Sequence, residues 1–207
     1  MDLNGFILLI IACLAVNLSP GPSIMLVSSV SAAGGFRAGL FAVLGMSAGA
    51  FVHVVLAASG VAALLAASPI AFSLVQYLGA GYLIYLGIDL LRGKPRAAAV
   101  EGCGNARSDW QYFRRGFLVD SLNPKIALFF LAFIPQFLNA VETPGFAVSL
   151  ALGSVFLVTG AIVNGSLAWL VAAGVERSRA SFGDWLQRWI PGGVLIYLGM
   201  RLLWQEN

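Results

Sequence analysis

Asn17-Leu18-Ser19-Pro20-Gly21-Pro22 and Asp120-Ser121-Leu122-Asn123-Pro124-Lys125 interrupt two long apolar segments of this 207-residue chain. Proline lacks the N–H donor, and its ring collides with the carbonyl one turn back. Inside a bilayer, such a break survives only where protein or a watery cavity receives the freed backbone groups. One break in each half of the chain is the pattern of a transporter whose binding region lies near the bilayer midplane.

The composition around the breaks agrees. The chain is 59% hydrophobic and 10% charged, with a mean hydropathy of +0.89, whereas soluble domains carry about 25% charged residues. The net charge of +3 is small and no basic run is interleaved with aromatics, which argues against a nucleic-acid partner. Met1-Asp2-Leu3-Asn4 lacks the positive start of a signal peptide, so the first apolar segment reads as a retained span. Cys13 and Cys103 suggest neither a disulfide framework nor a metal site, and no cofactor is implied.

A hydrocarbon core of about 30 Å takes apolar runs of about 20 residues. Spans are expected near 6–31, 38–66, 71–91, 115–138, 146–173 and 185–204. The result is one all-α transmembrane domain over 1–207, with repeat one at about 1–91, a Gly/Ala/Arg-rich loop at 92–114 and repeat two at about 115–207. Arg37, Arg92, Lys94, Arg96, Arg107, Arg114, Arg115, Arg177, Arg179 and Arg188 fall on one side of this arrangement, ten of the twelve basic residues. The opposite connections offer only Ser68-Pro69 and Glu142. Positive charge stays in the cytoplasm, so both termini are expected outside it.

The two halves share elements. Leu83-Ile84-Tyr85-Leu86-Gly87 returns as Leu195-Ile196-Tyr197-Leu198-Gly199, with Leu90-Leu91 and Leu202-Leu203 in register. The breaks at Pro20 and Pro124 relate spans one and four, and Gly49 and His53 match Gly160 and Asn164 in spacing. Three spans per copy is an odd number, so the second copy must enter the membrane inverted. Two inverted three-helix repeats with broken helices 1 and 4 suit alternating access.

Several residues are candidates for chemistry. Ser19, Pro20, Gly21 and Pro22 separate two half-helices, and the N-terminus of the second would receive a carboxylate. Pro124 lies nine residues beyond Arg115, about 13 Å along a helix. At that depth Lys125 costs about 2.5–3.5 kcal/mol unless paired or wetted. Asp120 is its nearest candidate partner in sequence; the alternative is a later start to the span, with Lys125 snorkelling to the headgroups. Gly45, Gly49 and His53 recur every four residues on one stripe, which permits close packing and turns His53 toward protein. His53 then either relays protons or braces an interface. Asn164, with Thr159 and Ser166, supplies a polar lining in the fifth span. Trp185, Trp189 and Trp204 suit an interfacial belt.

Asn17 through Pro22 resembles the first signature of the lysine exporter / homoserine–threonine resistance (LysE/RhtB) family. Leu122-Asn123-Pro124-Lys125-Ile126-Ala127-Leu128-Phe129-Phe130 with Pro135-Gln136-Phe137 is similar to its second, and Gly79 through Leu91 resembles its third span. The resemblance implies a bacterial inner-membrane exporter of amino acids or close derivatives, driven by the proton gradient. It carries over Asn17, Pro20, Gly21, Pro22, Asn123, Pro124 and Lys125 as signature residues. Asp120 stands where that family more often has Asn, so an Asp120–Lys125 pair is not implied for the family as a whole.

A secondary exporter is the leading expectation. Asn17, Ser19, Pro20, Gly21, Pro22, Asn123, Pro124, Lys125 and Asn164 are its substrate-binding candidates, and Asp120 and His53 its proton-coupling candidates. The expected partners are a small amino-acid substrate, a proton or other ion gradient and the bilayer, with a homodimer left open. A channel would more naturally show rings of like charge or a filter, and a scaffold needs no polar breaks. An intramembrane enzyme would need a nucleophile–base pair or a metal cluster. One histidine and two lone cysteines supply neither, with Ser19 and a distant Lys125 the nearest substitute.

Overall fold

The computed structural model describes residues 3–67, 69–92, 108–138, 146–174 and 180–204. These fold into seven helices: α1 (Leu3–Leu18), α2 (Pro22–Ala67), α3 (Pro69–Arg92), α4 (Asp109–Ser121), α5 (Pro124–Leu138), α6 (Phe146–Ala172) and α7 (Ala180–Trp204). No strand occurs among the described residues. Pro22, Pro69 and Pro124 each open a helix, where the missing N–H costs nothing and the fixed φ is already helical.

Both expected breaks are complete, so the first and fourth spans each become two helices. α2 contains a second discontinuity at Gly35 (φ 74°, ψ −174°), a conformation that glycine adopts without steric cost. A Cβ on Gly39 would strike the side chain of Ser31. Residues eight apart in a straight helix are separated by about 12 Å, so the chain doubles back at Gly35. The connection expected at 32–37 shrinks to this one glycine. The fourth span also begins earlier than expected, at Asp109 rather than 115, and shortens the long loop. Lys94, Arg96, Cys103, Arg107, Glu142, Arg177 and Arg179 lie outside the described residues, as do the side chains of Pro135-Gln136-Phe137, Trp185 and Arg188.

The molecule wears its apolar side outward. Leu56, Ile162, Trp169 and Tyr197 are all more than half exposed, while Ser19, Ser23, His53, Asp120, Asn123 and Asn164 are buried. Only 22% of the most apolar stretch of α6 is buried inside the protein, where the core helix of a soluble protein would be mostly covered. α2 and α6 both carry stretches apolar and long enough to cross a bilayer. This is the distribution of a membrane protein.

Packing between helices relies on backbone contact, as expected where lipid removes most of the hydrophobic drive and small residues let helices approach. A Cβ on Gly45 would strike the backbone of Phe113, and one on Gly116 would strike that of Ala42. A Cβ on Gly49 would lie 2.5 Å from the Phe117 carbonyl oxygen. The Gly45/Gly49/His53 stripe thus faces protein, as its spacing indicated, and the partner is α4. α3 and α7 meet in a reciprocal way. A Cβ on Gly87 would approach the Gly192 carbonyl oxygen and Ile196 Cγ1, each at 2.6 Å; one on Gly199 would approach Ile84 Cγ1 at 2.5 Å and the Ala80 carbonyl oxygen at 2.8 Å. Leu83 and Leu195 are both fully buried there. Between these layers, the rings of Phe129, Phe130 and Phe156 pack with centroids 5.1–5.7 Å apart.

Candidate functional site

The site grows from the two interrupted segments, which cross and complete each other. α1 closes with the Ser19 amide donating to the Ala15 carbonyl (3.1 Å) and Ser19 Oγ donating to the Val16 carbonyl (2.8 Å). A helix C-terminus carries unpaired carbonyls and partial negative charge, so it attracts a cation. Lys125 supplies one from the other break. Its Nζ donates to the Val16 carbonyl at 3.0 Å, the Ser19 carbonyl at 3.2 Å and Ser19 Oγ at 3.0 Å. Gly21 lies beside that ammonium, where a Cβ would stand in ordinary contact at 3.5 Å.

The second break is built as a helix start. Asn123 caps α5: its Oδ1 accepts the Lys125 amide at 3.0 Å, and its carbonyl accepts the amides of Ile126 and Ala127. Asparagine at the cap followed by proline at the first helical position is a favoured pairing. Asn123 Nδ2 reaches across to Ser23 Oγ (3.4 Å), and Ser23 Oγ donates to Asp120 Oδ1 (2.6 Å). Ser23 is the second residue of α2, so the carboxylate of Asp120 stands at the positive end of that helix. Each break therefore feeds the other its charge: Lys125 at the carbonyl end of α1, Asp120 at the amide end of α2. Lys125 directs its hydrogen bonds to α1, while its charge still acts on the Asp120 carboxylate, the partner suggested by nearness in sequence.

His53 Nε2 lies 3.0 Å from the backbone carbonyl of Asp120. A carbonyl only accepts, so Nε2 carries the proton. His53 contacts the main chain of Asp120 and braces the end of α4 against α2.

Beside the crossing is a cavity of about 10 Å³ whose lining includes Asn17, Ser47, Asp120, Gly160 and Asn164. That is space for about one water. Asn17 Nδ2 donates to the Phe156 carbonyl (3.4 Å) and to Thr159 Oγ1 (3.2 Å) on α6. Its Oδ1 would stand 3.0 Å from a Cβ on Gly160, so a side chain at 160 would press the Asn17 amide out of its place by a few tenths of an ångström. Asn164 Nδ2 donates to the Gly160 carbonyl (3.0 Å). Asn164 Oδ1 is buried without a hydrogen-bond partner.

The sequence candidates thus separate into three groups. Asn17, Asp120 and Asn164 line the cavity; Ser19, Pro20, Gly21, Pro22, Asn123, Pro124 and Lys125 build the crossing beside it; His53 supports Asp120 from behind. Two contributors went unnoticed in the sequence. Ser23 follows the proline that opens α2, and that position was its one signal. Ser47 had none, since the rotation of α2 about its axis is not written in the spacing. Among the described residues, no group of three or more His, Cys, Asp or Glu side chains could hold a metal ion. At one water-exposed end, Arg37 pairs with Asp109 (2.6 Å), joining the turn of α2 to the start of α4.

Comparison with known proteins agrees with this architecture. The model of the LysE type translocator family matches residues 14–206. A membrane protein of Pseudomonas aeruginosa, itself described as uncharacterised, is 36% identical over 168 residues, covering 79% of this chain and 74% of the relative. Another uncharacterised membrane protein, from Vibrio cholerae, is 31% identical over 139 residues, 67% of each chain. No solved structure shows significant similarity. With the family model spanning nearly the whole chain and its two breaks, this protein belongs to the LysE type translocators, a family of membrane transporters.

Proposed function

We propose that the protein is a secondary exporter, carrying amino acids or close derivatives out across the bacterial inner membrane in exchange for protons. The observation that carries this reading is the buried polar crossing itself. Asp120, 5% exposed, is the one ionisable group in the lining of the cavity, and an ionisable residue held among membrane helices is by default a functional site. In this scheme Asp120 takes a proton in one facing state and gives it up in the other, with the solute bound beside it. Lys125 and Asn123 hold the half-helix ends so that this carboxylate keeps its position.

Alternating access follows from two halves related by inversion. The reciprocal contacts of α3 and α7 support that relation, as does the pairing of α2 with α4 through Gly49 and of α6 with α1 through Gly160. A cavity of about 10 Å³ admits a single heavy atom, so loading a whole amino acid requires α6 to part from α2 and α4. The asymmetry of basic residues supports both termini lying outside the cytoplasm. The test is efflux of a panel of preloaded radiolabelled amino acids from proteoliposomes, with and without an imposed pH gradient. Release of at least one amino acid above protein-free vesicles, faster with the gradient, is expected. No release of any of them by folded protein would overturn the reading.

A further inference from the structure

The lining of the small cavity has a chemical bias that the fold does not require. Asn164 is 5% exposed, and its Nδ2 is committed to the Gly160 carbonyl, which leaves Oδ1 as the atom without a partner. The assignment is fixed by chemistry, since a carbonyl can only face the amide nitrogen. Asn17 Nδ2 likewise donates to α6, at the Phe156 carbonyl and Thr159 Oγ1. Asp120 adds a carboxylate to the same lining. The unpaired Asn164 Oδ1 and the Asp120 carboxylate therefore share, with Asn17 and Ser47, the lining of a space the size of about one water. A buried acceptor left unpaired costs about 1–3 kcal/mol, so a guest that only donates is strongly preferred. Lys125, the group that would otherwise read a substrate's carboxylate, is engaged at the end of α1.

We propose that Asn17, Asp120 and Asn164 form a subsite for a primary ammonium group, and that this end of the substrate, rather than its carboxylate, is what the protein recognises. Resting on the exporter reading above, this names the substrate class as primary amines, amino acids among them. A primary ammonium has three N–H donors and no acceptor, which suits Asn164 Oδ1 and the Asp120 carboxylate, and its nitrogen is about the size of the water that the cavity would hold. A quaternary ammonium has the same charge but no N–H to offer the acceptors. Amines lacking a carboxylate therefore bind, while carboxylates lacking an ammonium do not.

The experiment uses the full chain in nanodiscs, melted in methylammonium chloride, tetramethylammonium chloride or sodium chloride at equal ionic strength. Methylammonium is expected to raise the melting temperature and the other two to leave it unchanged. Asn164→Leu removes one charge-assisted hydrogen bond and leaves a side chain of similar size, so methylammonium binding should weaken about ten-fold or more. Asp120→Asn should abolish it. Melting without added amine shows whether each variant is folded, and the wild-type comparison of the three cations stands even where a variant is not. Equal stabilisation by sodium would make this an alkali-cation site and overturn the proposal, as would undiminished binding in folded Asn164→Leu. Amino-acid efflux without methylammonium stabilisation refutes the subsite alone. Methylammonium binding without efflux of any amino acid refutes the exporter reading and leaves the subsite in place.

Discussion

Replacing Gly49 by alanine tests how tightly the site is held. The new Cβ would lie 2.5 Å from the Phe117 carbonyl oxygen and 2.8 Å from the Ser121 amide nitrogen. Both are backbone atoms of α4 and cannot rotate away. Ordinary van der Waals contact begins at 3.4 Å, so α4 must retreat by about 0.9 Å from α2, a distance set by carbon–oxygen contact. One turn further along α2, His53 Nε2 is 3.0 Å from the Asp120 carbonyl. The same retreat would open that separation to about 3.9 Å, beyond hydrogen-bonding range. Overpacking costs about 1–3 kcal/mol and the lost hydrogen bond about 1 kcal/mol, so destabilisation of about 2–4 kcal/mol is expected. At about 2–4 °C per kcal/mol for a chain of this size, melting should fall by about 4–16 °C. Gly81→Ala on α3, where a Cβ meets nothing within 4 Å, is the control, and it should melt at or slightly above the wild-type temperature because alanine favours helix. The assay is thermal unfolding in nanodiscs. Equal melting temperatures for the two variants would refute the claim that α2 and α4 are in backbone contact at this point.

Other consequences are narrower. Asn123→Ala removes the cap of α5 and should cost about 1 kcal/mol with reduced efflux, while Asn123→Asp keeps an acceptor for the Lys125 amide and should restore much of the stability; denaturant titration of both variants measures this. Gly87→Ala and Gly199→Ala meet equivalent atoms across the α3–α7 contact, so each should destabilise by about 1–3 kcal/mol and to a similar extent. A large effect at one position with none at the other would break the proposed equivalence of the halves.

Much of this was legible in the sequence, for physical reasons that can be named. The positions of both breaks follow from proline, which lacks a donor and so starts α2 and α5 where Pro22 and Pro124 fall. The Gly45/Gly49/His53 stripe follows from the helical period, which also gave its burial against protein. The reversal at Gly35 was visible only as a gap between two apolar runs, because Gly34-Gly35 gives no sign of which glycine takes the positive φ. The hydrogen-bond acceptors of Lys125 were out of reach. Distance along the chain pointed to Asp120, whose carboxylate does feel the Lys125 charge, but the ammonium's hydrogen bonds go to the carbonyl end of a helix more than a hundred residues earlier. Backbone carbonyls leave no mark in a sequence. Nor does the rotation of α6, which decides that Asn164 rather than Ser166 lines the cavity with Asn17 and Asp120.

The most direct test of the exchange mechanism compares wild type with Asp120→Asn in proteoliposomes, preloaded with whichever labelled amino acid the wild type releases. Net efflux under a pH gradient and label exchange at equilibrium should be read from the same preparation. Fast gradient-driven efflux by the wild type, with both efflux and exchange lost in a variant that still melts cooperatively, is the predicted result. Gradient-driven efflux that survives in Asp120→Asn would contradict the account, because proton and solute would then be meeting somewhere other than the crossing of the two breaks.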